Sequence, residues 1–295
     1  MKKQLTIVLC LLLASSISFA QVIDRAQLEV IFHYEMVGNR LNPEVVTDET
    51  ILLIGERYTA YSSFMNFISD SLRRANPAEF MPQIRHADGR PIRPGETITG
   101  GIRSDPPRTA LPTNRFNTSS IFINRTSGQV TVMDRIMVLD QVSLRPVYFI
   151  YTEILESPIW EFHMESDEIA GYVSQKATTR FGGRDWTVWF APEIPINAGP
   201  WKLRGLPGLI LKAYTADGEF TKTAISVSRS NRPIAKDEEN IYRNTTKQEF
   251  FQRQTEAFRN VLVPRSGLNV HHSFTGSGGA MTTSSMEFNH IEILD

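Results

Sequence analysis

The chain has 295 residues, of which 31 are Lys or Arg and 32 are Asp or Glu, so its formal net charge is −1 at pH 7. This near-neutral balance argues against a nucleic-acid partner, which requires a basic face. The length and the 41% hydrophobic content allow a large core, and no apolar run beyond residue 20 is long enough to span a membrane.

The first twenty residues have the pattern of a secretory signal. Two lysines precede an apolar stretch at 5–13, and Ser18-Phe19-Ala20 supplies the small residues of a cleavage site. The single cysteine of the chain lies inside the apolar stretch. We therefore expect cleavage before Gln21 and export of a cysteine-free protein to the periplasm or the extracellular space.

The next part of the chain predicts two strands, one amphipathic helix and one irregular insertion. Residues 28–36 and 50–63 are rich in the β-branched and aromatic residues that suit strands. Residues 64–75 place apolar side chains at helical spacing and end before a proline. Residues 77–118 combine many prolines with glycine, arginine and aspartate and show no periodicity, which predicts a long irregular insertion.

Strand signals resume at 119–137 and are continuous from 147 to 229. Three turn pairs divide this region into hairpins: Ser127-Gly128, Gly182-Gly183 and Asp217-Gly218. A second helix is predicted over 245–262, where Thr246 and Glu249 have the spacing of a capping box.

These elements predict a single α+β domain over 21–295. Its centre is a strongly curved antiparallel sheet of half-barrel type, similar to the lipoprotein-carrier half-barrels, with two helices packed on one side. The Gly/Ser-rich segment 275–285 is predicted to be flexible, and 286–294 is predicted to add a last short strand.

The stretch "GPWKLRGLPGLIL" at 199–211 is rich in glycine and proline. It lacks the lysine and the following helix of a phosphate-binding loop. The Pro-Gly pair in 206–209 predicts a type II turn, in which Gly208 has a positive φ. We assign a structural turn role to five residues: Gly199, Pro200, Gly205, Pro207 and Gly208.

The hexapeptide "GLPGLI" at 205–210 is the signature of the GLPGLI family of secreted Bacteroidetes proteins, including those of Porphyromonas type. Residues 171–211 resemble the core block of that family, and the resemblance extends over about 28–260. It implies an exported protein. It implies no reaction, because the family has no established biochemical activity.

Few residues form a pattern that is typical of catalysis or metal binding. His163 and Glu165 share one face of a predicted strand, but no third ligand has a diagnostic spacing, and the stretch through Asp167 and Glu168 is typical of a polar strand end before a turn. His271-His272 would point in opposite directions on an extended chain. No serine lies in a G-x-S-x-G motif. We assign no catalytic residue, metal or cofactor.

The aromatic residues are concentrated in the central block of the chain. Trp186 and Trp189 are three positions apart, so on one strand they point to opposite faces. Both faces must then contact apolar material, either as a packed core or as an aromatic-lined groove on the concave side. The candidate ligand-binding residues of such a groove are Trp160, Tyr172, Trp186, Trp189 and Trp201.

Two hypotheses for function follow. The first is a non-catalytic exported protein that binds an apolar or amphipathic ligand, such as a lipid, an acyl chain or a peptide, on its concave sheet. The second is a cell-envelope interaction protein that docks to an outer-membrane or secretion partner through the insertion and an exposed sheet edge. A cavity beside the tryptophans favours the first, and a filled core with an exposed apolar patch favours the second. A hydrolase with paired carboxylates is a weaker alternative.

Overall fold

The computed structural model describes residues 21–37, 45–76, 83–91, 102–105, 118–140, 143–237, 239–262 and 291. The predicted signal segment 1–20, the predicted flexible segment 275–285 and His271-His272 lie outside the described residues. The predicted strand 286–294 also lies outside them, apart from Ile291.

Strands dominate the described residues. They are β1 (Gln21–Val37), β2 (Val45–Gly55), β3 (Tyr58–Ser63), β4 (Gln83–His86), β5 (Ile102–Asp105), β6 (Ser120–Asn124), β7 (Gln129–Asp140), β8 (Ser143–Ile154), β9 (Glu161–Ile169), β10 (Tyr172–Phe181), β11 (Arg184–Ala191), β12 (Leu209–Thr215), β13 (Phe220–Arg229), β14 (Pro233–Lys236) and β15 (Arg243–Asn244). The helices are α1 (Phe64–Ala75) and α2 (Lys247–Leu262), with a 3₁₀ turn at Glu239–Ile241. Neither described helix combines the length and the apolar composition that crossing a bilayer requires.

Thirteen strands form one large sheet, which confirms the prediction of an antiparallel-dominated fold with two helices. Its strand order is β15-β8-β7-β6-β3-β2-β1-β13-β12-β11-β10-β9, and β14 pairs with β1 outside this path. Neighbours pair antiparallel except β15, which runs parallel to β8. The described sheet is open, with β15 at one end and β9 at the other.

The sheet is buried on both faces near its centre. In β2, Leu52 belongs to the larger of two apolar cores and its neighbour Leu53 to the smaller one. Helix α1 packs Phe64 on the smaller core, whereas α2 packs Phe250 into the larger one. The helices therefore lie on opposite faces, and the expectation of two helices on one side is wrong. A strand that is apolar at successive positions, as β2 is, needs cover on both faces.

Local turn and capping signals are confirmed. Gly128, Gly182, Gly183 and Gly218 have positive φ in the turns of the predicted hairpins, a conformation that glycine adopts without steric cost. At the start of α2, the backbone N–H of Glu249 donates to Thr246 Oγ1 and that of Thr246 donates to Glu249 Oε2, each at 3.2 Å. This reciprocal pair is the predicted capping box.

The range 77–118, which the sequence predicts to be irregular, contains two short strands. Strands β4 and β5 pair antiparallel with each other as a separate two-stranded sheet. Beyond them, only 87–91 and residue 118 of this range are described.

Residues 192–208 connect β11 to β12, and we call them the covering segment. Trp201, Leu203 and Leu206 of this segment are buried in the larger core. Backbone hydrogen bonds attach the segment to the start of β12, from Leu209 N–H to Ile194 O and from Ile210 N–H to Ala198 O, both at 3.0 Å. The segment thus covers the core where the sequence has its glycine-rich signature.

Candidate functional site

Two of the candidate ligand-binding aromatics lie in the larger core. Trp186 is 1% exposed and Trp201 is 5% exposed. Their rings stack with 5.6 Å between centroids, and Phe181 meets Trp201 edge-on at the same distance. Trp186 Nε1 also donates to the Phe181 carbonyl at 3.1 Å. This burial and stacking are typical of core residues, and they occupy space that a groove would leave to a ligand.

The other three candidate aromatics are half-buried and pack at the margin of the same larger core. Trp160 Nε1 donates to the Arg204 carbonyl at 2.9 Å, which holds Trp160 against the covering segment. Tyr172 begins β10. Trp189 lies on the face of β11 opposite Trp186, as its spacing predicts, between Lys176 of β10 and Lys212 of β12.

Gly208 does not form the predicted type II turn. Its φ is not positive, so the prediction of that turn type at 206–209 is wrong. A Cβ at Gly208 would lie 2.3 Å from the carbonyl oxygen of Ala191. Glycine is therefore needed at this position because two backbones approach closely, and not because of a left-handed conformation.

The other residues with a predicted turn role lie in the same covering segment. Gly205 has a φ of 99°, which favours glycine. A Cβ at Gly199 would lie 2.8 Å from the carbonyl oxygen of Leu203. Pro200 is buried beside Gly199, and Pro207 is exposed beside Gly208. The signature thus allows a tight chain path against the sheet.

A buried ion pair attaches the covering segment to the sheet and to α2. Lys202 is 1% exposed, and its Nζ donates to Glu153 Oε1 at 2.5 Å. Lys247 of α2 donates to Glu153 Oε2 at 3.1 Å. Burial would raise the pKa of Glu153, but the two ammonium groups hold that pKa below its usual value. These partners give Lys202 a structural role.

Strand β9 is exposed along almost its whole length and ends the sheet. Met164 is 96% exposed and Phe162 is 53% exposed. Ile159, just before β9, and Val173, on neighbouring β10, are also exposed. Among the described strands β9 pairs only with β10, and β13 comes near β9 without pairing with it. A long edge with exposed apolar side chains is a surface on which another chain can pair.

The same strand is acidic. Its carboxylates are Glu161, Glu165, Asp167 and Glu168. Lys176 of β10 donates to Glu165 Oε1 at 2.9 Å, and this hydrogen bond lowers the pKa of Glu165 and raises that of Lys176. The strand continues to Ile169 where the sequence suggests a turn. The edge therefore combines apolar side chains with an excess of negative charge.

His163 and Glu165 lie on one face of β9, as predicted, but they do not form a metal site. His163 Nε2 shares a hydrogen bond of 2.7 Å with Thr178 Oγ1, and Glu165 pairs with Lys176. No group of three His, Cys, Asp or Glu side chains within the described part of the chain could hold a metal ion.

A polar pocket lies beside α1, and its lining includes Asp70, Asp134 and Asp237. The hydroxyls of Thr118 and Ser119 donate to the Asp134 carboxylate. Burial raises the pKa of Asp134, and these hydrogen bonds offset only part of that effect. The Tyr242 hydroxyl donates to Asp237 at 3.1 Å. Asp134 and Asp237 therefore act as hydrogen-bond acceptors for neighbouring hydroxyls, which is a structural role.

The exposure of Phe162, Met164 and Val173 is not predicted from the sequence. The sequence feature that could have predicted this exposure is the mixture of acidic and apolar residues at successive positions of 161–169. Such a mixture is unusual for a strand inside a sheet. Hairpin order alone does not reveal which strand ends the sheet.

Comparisons with known proteins give a partial family match and distant structural matches. No curated protein matches the sequence. The chain is similar to "Structure of PNGF-II in P21 space group", with 14% identity and a TM-score of 0.46 over 79% of this chain and 34% of that chain. It is similar to "Structure of PNGF-II in C2 space group", with 14% identity and a TM-score of 0.44 over 79% of this chain and 33% of that chain. The chain thus spans about a third of the length of these structures.

The family match falls on the covering segment and the strands beside it. Residues 183–212 match the Porph_ging family model, described as a protein of unknown function. This range contains β11, the covering segment and the start of β12. The part of the chain that holds the glycine-rich signature therefore fits a family of unknown function.

Proposed function

We propose that this protein is an exported cell-envelope protein of the GLPGLI family that binds a protein partner by strand addition to the free edge of β9. The observation that carries the proposal is a nine-residue edge strand with Met164 96% exposed. The proposal follows the second of the two sequence hypotheses. The stacked, buried Trp186 and Trp201 weigh against the first, which requires an open apolar groove.

Strand addition uses the backbone N–H and C=O groups of an edge, and side chains supply specificity. The register between β9 and β10 shifts between Gln175 and Ala177, an irregularity of the kind that limits indiscriminate pairing. Two copies of β9 would bring carboxylates together, which disfavours self-association. The edge is therefore suited to an extended partner segment in which Lys or Arg alternates with apolar residues.

The export part of the proposal rests on the signal pattern of residues 1–20. Gln21, the residue that would follow cleavage, pairs with Lys236 of β14. Cleavage before Gln21 would therefore keep this pairing.

Fluorescence anisotropy with a fluorescein-labelled ten-residue peptide of alternating lysine and valine tests the proposal. We expect this peptide to bind, and a peptide of alternating glutamate and valine to bind much more weakly. A lysine–valine peptide with a central proline cannot extend the sheet and should also bind weakly. Asp167→Lys and Met164→Ser should each weaken binding about tenfold, or about 1.4 kcal/mol.

Met65→Ser is the matched control, because Met65 is an exposed apolar residue on α1, a helix that contacts β2 and β3. It should leave peptide affinity unchanged. Equal binding of the lysine and glutamate peptides, or no effect of Asp167→Lys and Met164→Ser, would overturn the proposal. Saturable quenching of tryptophan fluorescence by a long-chain fatty acid would instead support the apolar-ligand hypothesis.

A further inference from the structure

A second pocket lies between the covering segment and the middle of the sheet. Arg125, which follows β6, and Arg204, in the covering segment, both line it. Asn197 and Thr59 add polar groups, and Ile123 and Leu203 add apolar surface. This pocket is separate from β9, and its covering-segment residues all lie within the range that matches the family model.

Arg204 is held without a carboxylate partner among the described residues. Its Nη2 donates to the Leu155 carbonyl at 2.7 Å. Its Nε is buried and has no hydrogen-bond partner in the described part of the chain. Burial lowers the pKa of the Arg204 guanidinium, but arginine stays charged at neutral pH. The pocket therefore contains a partly buried positive charge that no described acid neutralises.

Arg125 also has no carboxylate partner among the described residues. Its Nη1 donates to the carbonyls of Gly55 and Glu56, at 2.8 and 3.1 Å, and it forms no ion pair with a described residue. The buried Arg184 differs, since its Nη1 contacts the carboxylates of Asp217 and Glu219 at 2.7 Å. Carbonyl partners fix the position of a guanidinium and leave its charge uncompensated.

Asn197 supplies a further donor. Its Oδ1 accepts a hydrogen bond from the backbone N–H of Gly205 at 2.5 Å, so the side-chain amide is held in place. The Nδ2 group has no partner among the described residues. The pocket thus offers two guanidinium groups and one amide donor, and arginine in particular matches the planar oxygens of carboxylate and phosphate.

We propose that this pocket binds a small anion through a carboxylate or phosphate group, held by Arg125, Arg204 and the Asn197 amide. The site is independent of the β9 edge, so either can exist without the other. It would give the glycine-rich signature a binding role in addition to its structural one.

Calorimetric titration with sodium phosphate and with sodium acetate, at constant ionic strength in chloride, tests the proposal. We expect saturable binding of at least one anion with one site per chain, and the two arms show which group is preferred. Asn197→Asp keeps the acceptor for Gly205 and adds a negative charge, so it should weaken binding at least about tenfold. Arg125→Gln should have a similar effect.

Asn231→Asp is the matched control, because Asn231 is exposed and does not line the pocket. It should bind as the wild type does. Circular dichroism confirms that each variant is folded, and Arg125→Gln and Asn197→Asp provide two independent tests should one fail to fold. The proposal is wrong if neither anion binds at a single site, or if Asn197→Asp titrates like Asn231→Asp.

Discussion

Gly208 lies so close to the backbone of Ala191 that there is no room for a side chain. A Cβ at Gly208 would lie 2.3 Å from the carbonyl oxygen of Ala191 and 2.7 Å from the carbonyl carbon of the same residue. Because both atoms belong to the backbone, no side chain can rotate to make room. We expect Gly208→Ala to destabilise the protein by about 1–3 kcal/mol, measured by urea unfolding.

Gly218→Ala is the matched control for this prediction. Gly218 has a positive φ of 72°, but nothing lies within 4 Å of the place its Cβ would take. Its substitution should cost about 1 kcal/mol through backbone strain alone. A wild-type free energy of unfolding for Gly208→Ala would contradict the close approach.

Lys222 is a second residue whose environment is set by distant parts of the chain. It is 1% exposed, and its Nζ lies 3.1 Å from the centre of the Tyr34 ring. Burial lowers the pKa of Lys222 well below its usual value, and Asp48 offsets only part of that effect. The folded protein therefore holds the Lys222 proton less tightly than the unfolded chain does.

This difference predicts a pH dependence of stability. Between the lowered pKa of folded Lys222 and the unfolded value of about 10.4, the unfolded chain binds more protons, so stability rises with pH. Lys222→Met should remove this slope and raise the free energy of unfolding at pH 7 by about 1–3 kcal/mol. Urea unfolding at several pH values up to 10 provides the measurement, and an unchanged slope would contradict the prediction.

At the scale of elements, the covering segment depends on Trp201. This residue has a φ of 58°, a left-handed conformation that is rare for a bulky side chain and costs about 1–3 kcal/mol. Its stacking on Trp186 offsets that strain. The segment is thus held by packing and by the Lys202–Glu153 pair more than by its own backbone preferences.

Trp201 in the covering segment and Trp189 on β11 differ in burial, so their substitution should lower the free energy of unfolding by different amounts. Trp201→Ala should destabilise by about 3–5 kcal/mol, because it empties a packed position in the larger core. Trp189→Ala, at a half-buried position, should cost less than half as much. Chemical denaturation compares the two variants. Equal costs would contradict the placement of Trp201 in the core.

Element types are well predicted from the sequence, whereas their positions in the sheet are not. Helix α1 and the capping box of α2 agree with prediction because they depend on residues a few positions apart. Strand β9 is predictable as a strand, but its place at the sheet edge is not. That place depends on which other strands pair, and the sequence does not encode it locally.

At the scale of the whole molecule, removal of residues 1–20 should leave the fold unchanged. Gln21 of β1 pairs with Lys236 of β14, and cleavage before Gln21 would keep this pairing. We expect protein from the native host to begin at Gln21 and to have the same melting temperature as a protein produced without residues 1–20. Mass spectrometry of the intact protein is the measurement, and full-length protein in the inner membrane would contradict the prediction of export.

The sequence by itself determined the helices, the hairpin turns and the capping box, because each depends on neighbouring residues. Only the tertiary structure decided that β1 pairs with β13, where Val30 faces Val227, and that the two helices lie on opposite faces. It also decided that Gly208 meets Ala191 and that Arg125 and Arg204 share a pocket. These contacts join residues far apart in the chain, so they arise only when the strands pair and the cores pack.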